Sequence, residues 1–125
     1  MKRSVVVLMG VLAAGLSIPG LTHHSVAGVF DGATPFEVTG TITEVEWINP
    51  HVFIHIDVED VDGNVVGWAL ETAPTQFFRN AGVSKSMLEG DGSPVTITGI
   101  RGHDKSKNIG WISRITYADG RFIQI

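Results

Sequence analysis

Apolar and polar residues alternate along the chain from Phe36 onward. In "FEVTGTITEVEW", Val38, Gly40 and Ile42 alternate with Thr39, Thr41 and Thr43. A run dense in Val, Ile and Thr with a period of two predicts a half-buried strand. Near Glu44 the phase slips by one residue, so Val45 and Trp47 become the apolar set. One extra residue within a strand is a β-bulge, and it bends the strand. Asn49-Pro50 marks a turn. The clearest alternation follows it, with Val52, Ile54, Ile56 and Val58 on one face and His51, Phe53, His55 and Asp57 on the other. Asp62-Gly63 between two such runs predicts a hairpin, with Val65 to Thr72 as the returning strand.

The period then changes. In "APTQFFRNAG" Pro74 suits a first helical turn, Phe77-Phe78 offers an apolar face, and Gly82 stands where a helix ends. "SKSMLEGDG" predicts a second short helical turn with Ser84 as its cap. Strand character returns in "PVTITGIRG", a polar loop "HDKSKN" follows, then "IGWISRITY", and "ADG" turns the chain into "RFIQI". Three meandering strands, a short helix and two or three further strands predict an all-β domain over residues 36–125. The order fits a small OB-like β-barrel with one short helix between strands 3 and 4, and the bent first strand serves both halves of such a barrel. A small open β-roll has the same element order.

The N-terminal end has a different composition. Met1-Lys2-Arg3, the apolar run Val5 to Leu16 and the turn-forming "SIPG" have the three-part layout of a secretory signal peptide. The apolar run is shorter than the ~20 residues a membrane-spanning helix needs, and no later segment is a candidate span. Residues 1–22 are therefore expected to be a cleaved leader, cut after Gly20 or after Thr22, followed by a histidine-containing segment at 23–35 that is rich in small residues and irregular. Export points to the periplasm. Losing Lys2 and Arg3 takes the basic count from 9 to 7 against 13 acids, so the net charge falls from -4 to -6. That balance disfavours nucleic acid and anionic membrane as partners and favours cations. The chain has no cysteine, so packing alone stabilises it and thiolate metal sites are excluded.

Candidate chemistry begins at His23-His24, where the leader ends. Cleavage after Thr22 makes His23 the first residue, and its amine and imidazole then form a bidentate clamp for Cu(II). A second imidazole would complete a T-shaped, three-nitrogen site. Cleavage after Gly20 makes His23 the third residue, and amine, two amides and imidazole then enclose Cu(II) or Ni(II) in a square plane, the geometry those ions prefer. His51 and His55 share a strand face, but four residues at ~3.3 Å per residue hold their backbones about 13 Å apart. One ion with ligands near 2 Å cannot take both. His51, at the strand mouth, is the better ligand. Pairing across Asp62-Gly63 brings Glu71 opposite the His51 end, as a ligand or as a carboxylate that orients the imidazole. The candidate metal set is thus His23, His24, His51 and Glu71. Asp31 suits a cap or turn. Trp47, Phe53, Trp68 and Trp111 suit packing or a flat-ligand platform, and Arg101, His103, Lys105 and Lys107 a solvated basic loop. "DVDGN" lacks the remaining ligands of a calcium loop.

Taken together, "HHSVAGVFD", "GTITEVEWINPHVFIHIDVEDVDGNVVGWALET", "AGVSKSMLEGDGSPVTITGIRG" and "ADGR" resemble an exported bacterial domain-of-unknown-function family. Its pattern is HHS…FD, G-x-(V/I)-x-x-(V/I)-x-W, NPH, DG, W-x-x-E and a late DG. The match falls on His23, His24, Ser25, Phe30, Asp31, Trp47, Asn49, Pro50, His51, Trp68, Glu71 and Gly120. The resemblance implies export to a Gram-negative periplasm and brings no established activity. Relatives place Ala before the histidine pair where this chain has Thr22, and tend to carry Trp where it has Val83. The expected function is a small exported protein binding a transition metal, most suitably Cu(II), for sequestration, delivery or service in a larger oxidative system. The competing expectation is a metal-free OB-like module that binds a saccharide, a peptide or a periplasmic protein partner through the aromatic face and the loop after Gly99. An enzymatic role has only Glu71 and the histidines as acid-base groups.

Overall fold

A computed structural model describes residues 25–125. The order of elements is α1 (Val26–Val29), β1 (Phe30–Glu46), β2 (Phe53–Glu59), β3 (Val65–Glu71), α2 (Thr75–Asn80), α3 (Lys85–Glu89), β4 (Val95–Gly102), β5 (Ile109–Thr116) and β6 (Phe122–Gln124). The fold is all-β, with short helices at the connections. The strands pair in the order β3-β2-β1-β4-β5-β6, and a further pairing joins β3 to β5. Hydrogen bonding therefore runs from β1 through β2, β3, β5 and β4 back to β1. All contacts are antiparallel except β3–β5, which is parallel through Ala69–Ile109, Leu70–Gly110 and Glu71–Trp111.

The length of β1 lets one strand serve two neighbours. Residues Pro35 to Gly40 pair with β4, and Thr41 to Glu46 pair with β2. The predicted bulge is present: the register with β2 slips between Ile42 and Glu44, so Ile42 faces Ile56 and Val45 faces Ile54. Gly40 stands at the handover. A Cβ there would lie 2.3 Å from the Asp57 carbonyl oxygen, so only glycine permits this backbone approach.

The buried core comprises Val45, Ile54, Ile56, Leu70, Val95, Ile97, Ile112 and Ile115 from the strands, with Phe78 of α2 and Leu88 of α3 beside them. At one end Phe36 packs on Trp68 with ring centroids 5.5 Å apart. Gly110 leaves room for that ring, since a Cβ there would meet Phe36 at 2.4 Å. Ser84 caps α3 as expected, its Oγ accepting the Met87 N–H at 3.3 Å. Pro74, by contrast, stands one position before the first helical turn, as the extended N-cap of α2.

The segment after the histidine pair is more ordered than its small residues suggested. Ser25 caps the single turn of α1, its Oγ accepting the Gly28 N–H at 3.1 Å. Strand β1 then starts at Phe30, opposite Gly102, rather than at Phe36. The register breaks between Phe30 and Pro35. There Asp31 accepts from the Ala33 N–H and the Thr34 hydroxyl and pairs with Lys105 at 3.0 Å. These bonds, the Thr34 hydroxyl foremost, hold the Asp31 carboxyl well below the usual carboxylate range. Asp31 thus serves the turn.

Candidate metal centre

The register of β2 with β3 sets the site. Phe53 pairs with Glu71, and one step beyond the ladder Thr72 N–H donates to Val52 C=O while Val52 N–H donates to Ala73 C=O. Leu70 and Val52 point into the core, so Glu71 and His51 emerge together on the outer surface. Their side chains meet at 2.5 Å, Nδ1 to Oε1, with 26% and 21% of each exposed. A carboxylate can only accept, so Nδ1 carries the proton, and in the neutral imidazole Nε2 then presents its lone pair. Nε2 makes no hydrogen bond to another described residue. This is the arrangement by which a carboxylate fixes the tautomer and ring orientation of a metal-binding histidine.

The third wall of the site comes from the parallel seam. Glu71 pairs with Trp111 across β3–β5. The Trp111 ring meets the His51 ring edge-on at 5.2 Å, with an interplanar angle of 85°. On its other side Trp111 packs against Phe30 at 5.9 Å, and Phe30 is buried although it lies apart from the main core cluster. One indole thus separates the imidazole from the first residue of β1. The turn α1, which leads back toward residue 24, is held at two points by the loop after β4. His103 donates from Nε2 to Ala27 C=O at 3.0 Å and from its own N–H to Val29 C=O at 2.9 Å.

Of the expected ligands, His51 and Glu71 come together, while His23 and His24 lie outside the described residues. Among the described residues, no group of three or more His, Cys, Asp and Glu side chains gathers to hold a metal ion. His55 forms a separate pair, its Nε2 3.1 Å from Glu46 Oε2. The tryptophans do not share a platform: Trp47 packs on Phe78, Trp68 on Phe36 beneath the Arg101 guanidinium, and Trp111 between Phe30 and His51. Arg101 turns inward from the basic loop and donates to the carbonyls of Lys105 and Lys107. Glu46 was not anticipated as a histidine partner, although the bulge implies it, because counting two residues past Glu44 places it on the His55 side. Nothing local signals the contacts of Phe30 or His103.

Residues 11–110 match the model of a family of unknown function, DUF6152. No curated protein and no solved structure matches the chain. No helix among the described residues is long and apolar enough to cross a membrane.

Proposed function

The chain belongs to the DUF6152 family, and we propose that it is an exported, periplasmic protein that binds a transition metal, Cu(II) for preference, on an OB-like barrel. The pairing circuit β1-β2-β3-β5-β4 with helices between β3 and β4 supports the barrel reading. One observation carries the metal reading: the Glu71 carboxylate meets His51 at Nδ1, which in the neutral imidazole leaves Nε2 free to ligate. It does so beside the indole against which the N-terminal strand begins.

His51 supplies one nitrogen, and Glu71 orients it without needing to touch the ion. The remaining donors are His23, His24 and the amine freed by cleavage after Gly20 or Thr22. The histidine pair stands only a few residues before Phe30, whose ring packs on the indole that also touches His51. Amine and imidazole nitrogens in a tetragonal set suit Cu(II). The role is sequestration or delivery of the ion.

The test uses protein recovered from the periplasm with its natural N-terminus. Intact mass fixes the first residue, and copper titration against a competing chelator compares wild type with His23→Ala and His51→Ala. Each variant is expected to weaken binding at least tenfold, with loss of one nitrogen from the electron-spin spectrum. Wild-type affinity in His51→Ala, or a mature chain starting well beyond residue 24, overturns the reading.

A further inference from the structure

The far end of β5 presents a second, unrelated surface. Among the described strands, β6 pairs with β5 alone, through Arg114–Gln124, Ile115–Ile123 and Thr116–Phe122. The flanking bonds, Tyr117 N–H to Arg121 C=O and Ile125 N–H to Ser113 C=O, fix the parity of that ladder. Odd-numbered residues of β6 bond inward. Phe122 and Gln124 therefore turn their main-chain N–H and C=O groups toward the free edge, where no other described strand pairs with them. A groove of about 510 Å³ adjoins this edge, lined by Val83, Met87, Tyr117, Phe122 and Ile123 together with the turn from Asp119 to Arg121. Phe122 is 55% exposed and Met87 45%.

The charge around the groove limits what fits. The Arg114 guanidinium lies 3.8 Å from the Phe122 ring centroid and pairs with no carboxylate among the described residues. Arg121, at the start of the same edge, is held by Asp119 at 2.7 Å. Two-fold pairing of β6 with the β6 of a second copy would offer Arg114 no carboxylate, because the strand Phe122–Gln124 carries none, so self-pairing leaves that charge unanswered. A strand bearing a carboxylate opposite Phe122 would instead pair with Arg114.

We propose that the β6 edge is a β-augmentation site for an extended segment of a partner protein, apolar on its inward face and acidic on its outward face. The segment's main chain bonds Phe122 and Gln124, its alternate apolar side chains enter the groove, and its carboxylate meets Arg114. Main-chain bonds supply affinity in this mode and the alternating pockets supply selectivity.

The experiment titrates isotope-labelled protein with the synthetic peptides acetyl-Val-Glu-Val-Glu-Val-amide and acetyl-Val-Lys-Val-Lys-Val-amide, read by amide chemical shifts. The Glu peptide is expected to move the Phe122, Gln124 and Met87 amides saturably, with the Lys peptide at least tenfold weaker. Arg114→Gln should abolish that preference. Gln124→Pro removes an outward main-chain donor and no inward main-chain bond, losing on the inward side only the side-chain bond to Ser113 C=O at 2.8 Å, so it should lose the Glu peptide while the remaining spectrum stays native; should it unfold, Arg114→Gln alone decides. Equal binding of the two peptides, shifts centred away from β6, no saturable response, or dimerisation through β6 overturns the proposal.

Discussion

Tyr117 shows how one buried polar atom ties packing to pH. Its hydroxyl donates to the Leu88 carbonyl at 2.9 Å, and burial pushes its pKa from 10.0 up to about 12. Between those values the unfolded chain releases a proton that the folded chain retains. The stability contributed by the neutral phenol is therefore complete below pH 10 and is lost as the pH rises toward 12. Tyr117→Phe should cost about 1 kcal/mol at neutral pH by stranding the Leu88 carbonyl, and should flatten the alkaline fall in stability measured by denaturant titration. The chain has a single tyrosine, so tyrosinate absorbance reads this group alone. In the proposed copper site Glu71 would work through its neighbour instead. Glu71→Gln keeps an acceptor for His51 Nδ1 but removes the charge, so copper affinity should fall about tenfold, the lower end of what an orienting carboxylate contributes, with folding stability little changed. Equal affinity in competitive titration would leave Glu71 without a part in binding.

At the scale of elements, caps and glycines decide the outcome. Ser84→Ala removes the acceptor for the Met87 N–H and should cost about 1 kcal/mol in thermal or urea unfolding. Gly110→Ala drives a methyl to 2.4 Å from the Phe36 ring and should cost about 1–3 kcal/mol by overpacking. A smaller loss would mean that Phe36 swings away from Trp68, which indole fluorescence would register. Much of this element structure was legible in advance. The bulge near Glu44, the hairpin at Asp62-Gly63, the Ser84 cap and the nearness of Glu71 to His51 all follow from period and register, which are local properties. The early start of β1 was hidden, because Gly32, Ala33 and Pro35 carry no strand signal. It is the opposing backbone around Gly102 and the Asp31–Lys105 bond that order them. Trp111 at the site was hidden for a different reason. Its neighbours arrive through β3–β5, a pairing between distant segments that alternation cannot reveal.

Across the whole molecule the charges divide sharply. Residues 25–78, which hold β1 to β3, contain nine acids and no lysine or arginine, whereas residues 79–125 contain seven basic residues and four acids. The first half repels itself, and dissolved salt screens that repulsion. Raising sodium chloride from 0.02 to ~0.3 M should therefore raise the melting temperature by a few degrees, about 4–8 °C for each kcal/mol of repulsion relieved. A fall in scanning calorimetry would mean that attraction between the two halves outweighs repulsion within the first. The seam between Glu71 and Trp111 has a consequence of its own. It joins stretches separated by two helices and a strand, and such distant partners meet late when a chain folds. Glu71 and Trp111 sit on that seam, and His51 rests against both, so half-assembled chains lack this juxtaposition altogether. An ion captured there would act as a latch, withheld until the ring is shut and slowing its reopening afterwards.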